Sequence, residues 1–166
     1  MGGKQTLGLH DQIGRMKIYN LAGNELADVE EINPGIGLDC VDLSGRDLSS
    51  ANLAGAVLMD TKLRSSILRG ADLYWAIMVR ADLTGADLRE ALLCGADLKE
   101  TILVGADLRD ANLGKDNLGG STQLQGANLL DAKLKGAILT DAEYDDATVF
   151  PDGFNPRTSG MRSVAA

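Results

Sequence analysis

From Leu38 to Leu139 nearly every fifth residue is leucine, and the residue two before it is usually alanine. Ala81-Asp82-Leu83-Thr84-Gly85, Ala86-Asp87-Leu88-Arg89-Glu90 and Ala106-Asp107-Leu108-Arg109-Asp110 are copies of one five-residue unit. Neither regular secondary structure satisfies this period. Five residues at about 100° each place successive leucines about 140° apart around a helix, so no apolar face forms. In a straight strand an odd period sends leucine to the opposite face at every repeat. The chain must bend once per unit to return each leucine to one side. Such a chain is a coil wound around its own leucines, a solenoid.

The phase shows how far the coil runs. Leucine occupies positions 38 to 73 in steps of five, Met78 substitutes once, and the series resumes at Leu83 and reaches Leu118. One extra residue within Gly119-Gly120-Ser121-Thr122-Gln123 shifts the register, which continues at Leu124, Leu129, Leu134 and Leu139. Tyr144 and Val149 extend it, giving 23 units in 112 residues. The single-residue slip reads as a bulge.

Other positions of the unit follow from turn chemistry. Glycine is frequent at the last position, as in Gly55, Gly85 and Gly105, where a tight corner benefits from a missing Cβ. Asp or Asn precedes leucine, as in Asp72, Asp82 and Asn112, and such side chains bond nearby backbone in a bend. Each buried leucine contributes roughly 1.5–3 kcal/mol, enough in a column to hold a rod without disulfides.

The A-(D/N)-L-x-x pattern resembles the pentapeptide repeat family over about two-thirds of the chain. The resemblance implies an all-β fold: a right-handed quadrilateral parallel β-helix with four units per coil. The leucine and the preceding small residue would point inward, in just under six coils. At the ~4.8 Å spacing of stacked strands, the rod is about 27 Å long. Three segments are expected: a lead or cap at 1–36, the β-helix at 37–149, and a closing segment and tail at 150–166. The stretch Ala142-Glu143-Tyr144 through Phe150-Pro151-Asp152-Gly153-Phe154-Asn155-Pro156 is similar to the tails of cyanobacterial members.

The ends are different material. In the lead, Tyr19-Asn20-Leu21-Ala22-Gly23 and Asn24-Glu25-Leu26-Ala27-Asp28 read as two eroded units; equally, Asn24 caps a short helix carrying Leu26, Val29 and Ile32. Asn33-Pro34-Gly35 is a turn into the first coil. Either version covers an open end, which solenoids require. At the other end the rings of Tyr144, Phe150 and Phe154 plug the last coil.

The inventory argues against an enzyme. One histidine, His10, and the distant Cys40 and Cys94 cannot form a zinc site. Gly114-Lys115 lacks the upstream glycine of a phosphate-binding loop, because Arg109 stands there. A rod filled with leucine offers no substrate pocket. No catalytic residue, cofactor or metal is therefore expected. No apolar run approaches the ~20 residues of a membrane span. The start has no apolar secretory core, so a cytoplasmic protein is expected, or a lumenal or periplasmic one where a signal has been removed.

Family resemblance also implies one specific partner class, DNA gyrase, through imitation of duplex DNA. Residues 38–149 hold 18 acidic against 11 basic side chains, a net of −7. Duplex DNA carries about 16 charges over the same ~27 Å. Arg69, Arg89 and Arg109 form a row beside Glu90 and Asp110, so the surface is compensated rather than acidic. Direct nucleic-acid binding is not expected.

The more distinctive feature lies mid-rod. Tyr74 and Trp75 follow Leu73 at outward positions, with Leu92 and Cys94 one coil along. Around the next corner stand Ile77 and Val79, with Val57 and Met59 one coil below. These eight residues form a candidate interaction patch for a protein partner or a second copy; the alternative is coverage by residues 1–36. Arg46 and Asp116 occupy positions where alanine is expected, so each should mark an open or distorted part of the coil.

Overall fold

The computed structural model describes residues 16–19, 24–29 and 37–165. Four faces are stacked with a rise of one coil per 20 residues: Asp42 pairs with Lys62 and then Asp82, and Val57 pairs with Ile77 and then Asp97, all parallel. The chain is a right-handed quadrilateral β-helix. We name its faces A to D in chain order, centred on Leu38, Leu43, Leu48 and Leu53 in the first coil.

Each unit repeats one hydrogen-bond scheme. Leu43 N–H donates to Lys62 C=O, and Lys62 N–H donates back to Val41 C=O, which ties successive coils into a ladder. The chain turns where Arg46 N–H donates to Leu43 C=O, with Gly45 at φ 67°. That is a type II turn, whose third residue must take positive φ. Several corners nevertheless use other residues in this left-handed conformation, among them Ser65, Arg80, Glu90 and Trp75. Each costs about 1–2 kcal/mol relative to a relaxed backbone. The leucine stack over-determines these corners. The acids before leucine act as turn residues: Asp72 Oδ1 accepts Tyr74 N–H at 3.1 Å, and Asn112 Oδ1 accepts Gly114 N–H at 3.1 Å.

The core is the leucine column with the alanines between, fully buried from Leu43 to Leu113. Where threonine replaces alanine, its hydroxyl is satisfied by a carbonyl of the coil before; Thr61 Oγ1 donates to Leu38 C=O at 2.6 Å.

Three sequence expectations need correction. Asp97 pairs with Gln123, 26 residues on, where Leu92 and the pairs before it step by 20. The slip is therefore a six-residue loop, 116–121, and not a single-residue bulge. Leu118 leaves the core entirely and is 89% exposed. Second, Asn128 pairs with Val149, 21 residues on. The register shifts at Asp145-Asp146, so Val149 faces outward and Phe150 packs on the core in its place. Asp145 forms this bend by accepting the N–H groups of Gly126, at 2.9 Å, and Ala147. Third, residues 25–29 form a strand and not a helix, and the unit read at 19–23 lies largely outside the described residues. Strand β1 (Met16–Tyr19) pairs antiparallel with β2 (Glu25–Val29), and Ile18 is buried in the core cluster. His10 and Asn33-Pro34-Gly35 lie outside the described residues.

The far end is built as expected from its rings. Tyr144 meets Phe150 edge-on at 5.5 Å, and Phe150 stacks on Phe154 at 5.3 Å. The closing segment then adds a last strand: β4 (Arg162–Ser163) pairs parallel with β3 (Glu143–Tyr144). Arg46, in the alanine slot of the first coil, is exposed, so its charge is not buried.

Candidate functional site

The corner between faces D and A is where the rod departs from its repeat. Trp75 occupies that corner in the second coil, at φ 56°. Its indole lies along the rod against the next corner glycine: a Cβ on Gly95 would sit 3.0 Å from the ring. The ring continues to the loop, where a Cβ on Gly120 would sit 2.4 Å away. Glycine at both positions is thus a condition for seating Trp75. The loop and the tryptophan form one assembly.

Asp116 holds the loop closed. Its Oδ1 accepts the N–H groups of Leu118 at 2.9 Å and Gly120 at 2.6 Å, and its own N–H donates to Gly120 C=O at 2.9 Å. Asp116 is 7% exposed, and its Oδ2 has no hydrogen-bond partner among the described residues. The alanine-slot exception read from sequence is therefore the loop's organiser. Thr122 repairs the interrupted ladder beside it, accepting Gly95 N–H at 3.1 Å and donating to Leu93 C=O at 2.8 Å.

The eight patch residues fall as their spacing implies, with one correction. Tyr74 and Leu92 lie on face D, and Val57, Met59, Ile77 and Val79 lie on face A. Trp75, Ile77 and Leu92 are 48%, 38% and 39% exposed. Cys94 is instead 2% exposed and lies beneath the patch. Its burial, with the Tyr74 hydrogen bond opposing, leaves the thiol pKa raised. The Tyr74 hydroxyl, whose neighbour is that thiol, is raised as well, while Cys94 Sγ donates to Asn112 C=O at 3.8 Å. Neither group is an activated nucleophile.

The other faces differ in charge. On face C, Arg89 and Arg109 bond Asp87 at 2.5 Å and Asp107 at 2.7 Å, and Arg69 reaches Glu90 at 2.5 Å. Face B pairs Arg64 with Asp82 at 2.6 Å, and the A/B corner pairs Arg80 with Asp60 at 2.7 Å. The Arg89 and Arg109 hydrogen bonds hold the Asp87 and Asp107 carboxyls below the ordinary range. A second apolar strip, missed in the sequence, runs up face B through Ile102, Leu130 and Val149. Its signal was available as apolar residues in the polar slots of one column.

The pentapeptide repeat family model matches residues 38–74 and 76–114 in eight copies. A solved pentapeptide repeat protein from Nostoc Pcc 7120, alr5209, is 32% identical and covers 62% of this chain and 84% of its own, with a TM-score of 0.43. This chain belongs to the pentapeptide repeat family. A second member, Rfr23 of the cyanobacterium Cyanothece 51142, is also 32% identical, covering 57% of this chain and 63% of its own at a TM-score of 0.36. QnrB1, a plasmid-mediated fluoroquinolone resistance protein, is 17% identical, covering 76% of this chain and 81% of its own at a TM-score of 0.47. No curated protein matches the sequence. Among the described residues, no helix is long and apolar enough to cross a membrane.

Proposed function

We propose that this pentapeptide repeat protein is a non-enzymatic interaction module that presents the D/A corner of a rigid rod to a protein partner. The supporting observation is the exposure of Trp75, Ile77 and Leu92 together, beside a loop apex, Leu118, that is almost wholly in solvent. Large apolar groups held rigidly in one area supply binding energy at low entropic cost. The backbone that carries them is fixed by the leucine ladder on both sides of the corner.

The test uses the full chain and its Trp75→Asp, Ile77→Asp double variant as bait in extract from the source cells. A discrete protein retained by wild type and lost with the variant is expected. Equal retention by both, or retention of nothing by either, removes the corner as the interaction surface. Light scattering reports on a second copy as the partner: a dimer mass in wild type that falls to monomer in the variant identifies it.

Gyrase inhibition or protection by DNA mimicry is the second reading, and the family resemblance is what favours it. Charge disfavours it: Asp82 on face B and Asp87 and Asp107 on face C are paired with arginines of the same face rather than arrayed as phosphates would be. A supercoiling assay in which excess protein leaves gyrase activity unchanged removes this reading.

A further inference from the structure

Face D differs from the other three in what its charges touch. Its outward positions carry Asp72 beside Tyr74, Trp75 and Leu92, yet no lysine or arginine before Lys115. Among the described residues, ion pairs occur on faces A, B and C. Asp72 bonds the Tyr74 N–H within its own turn and, among the described residues, no cation. Lys115, whose chain lies against Gly119, makes no ion pair with Asp72 or Asp116 among the described residues. At the corner itself the buried Asp116 adds a carboxylate oxygen with no partner, 3.3 Å from the Gly120 Cβ position that the Trp75 ring approaches to 2.4 Å.

An indole face with carboxylate charge behind and beside it is a site for a cation. The ring's electron-rich face attracts guanidinium or ammonium, and a carboxylate removed from water acts on such a charge more strongly than an exposed one. Resting on the interaction reading above, we propose that the partner docks an arginine or lysine, flanked by apolar residues, onto Trp75. The cation lies on the outer ring face, drawn by Asp116 and Asp72, while the flanking residues cover Leu92 and Leu118. A second copy of this chain fits poorly, because a two-fold contact through face D sets these uncompensated carboxylates against themselves.

Trp75 is the sole tryptophan, so its emission reports on this corner alone. The probes are acetyl-Leu-Arg-Leu-amide and the same peptide with glutamine or glutamate at the centre, titrated into the full chain. The arginine peptide is expected to shift Trp75 emission saturably, with affinity about tenfold above the glutamine peptide and no saturation by the glutamate peptide. Asp72→Asn keeps the turn acceptor, as Asn112 shows, and Asp116→Asn keeps Oδ1 for the loop. The double variant, checked for unchanged thermal unfolding, should bind the arginine and glutamine peptides equally. Equal binding of all three peptides to wild type overturns the cation site but leaves an apolar docking corner. No emission change with any peptide overturns the cation site, and the extract experiment then decides separately whether the corner binds protein at all.

Discussion

The regular coils from Leu43 to Leu113 and the D/A corner are made of the same chain but solve different problems. In the coils each position of the unit does one thing. Leucine fills, alanine leaves room, aspartate bonds the turn, and the corner residue takes positive φ. At the corner, residues that break this assignment depend on one another. Trp75 needs the missing side chains of Gly95 and Gly120, and the loop needs the Asp116 carboxylate in place of an inward alanine. Repetition yields stability that is spread out; departure from it yields a local surface found once in the rod.

That contrast is broken most forcefully in the core. Leu83→Ala, at a fully buried position, should cost about 3–5 kcal/mol in urea unfolding, whereas Leu92→Ala on face D should cost less than about 1 kcal/mol. Comparable losses would mean that outward leucines also hold the rod. Next comes a matched glycine pair. Gly105 has nothing within 4 Å of its Cβ position, so Gly105→Ala should cost only the backbone strain, about 1–2 kcal/mol. Gly95→Ala has the same positive φ plus the indole at 3.0 Å, and should cost clearly more. Adding Trp75→Ala should bring it back to the Gly105 value, a coupling read by a double-mutant cycle. Additive effects would show that the ring does not rest on Gly95.

Acid comes third. Asp87 and Asp107 are lowered by their arginine hydrogen bonds, and Asp145 by the Gly126 N–H that it accepts. A carboxyl with a lowered folded pKa stabilises the fold above its unfolded value, here 3.8, and that stability is lost as pH falls further. Thermal stability should therefore be flat near neutral pH and decline below about pH 4. Asp145→Asn should make the decline shallower. A midpoint falling between pH 6 and 7 would contradict this origin. The smallest effect is on face C. Arg89→Ala should change stability by under about 1 kcal/mol, because an exposed ion pair gains little over its hydrated partners.

The sequence discloses the two regions unequally. A five-residue period admits few chain paths, so the solenoid, its inward leucines and its aspartate turns are all legible before any coordinates. The loop was not, because phase alone cannot tell a leucine in the stack from one that has left it: Leu118 keeps the count while 116–121 leaves the coil. Asp116 in an alanine slot and Gly119-Gly120 after it were the signal. Val149 misled in the same way, since Ala147 and Val149 imitate a unit while Thr148 and Phe150 fill it, Thr148 Oγ1 donating to Leu124 C=O at 2.9 Å. The antiparallel pairing of β1 with β2 has no periodic signature in nine residues. The patch was legible in position but not in depth, and Cys94 went under because the Tyr74 and Trp75 side chains extend along the rod from the coil before it.

The most direct test places one photo-crosslinking amino acid, benzoylphenylalanine, at position 92 on face D or at position 69 on face C, both exposed. Irradiation in the source cells should give a discrete protein adduct from position 92, abolished by adding Trp75→Asp, and none from position 69. Adducts of equal yield and identity from both positions, or an adduct at 92 indifferent to Trp75, would contradict the assignment of the D/A corner as the recognition surface.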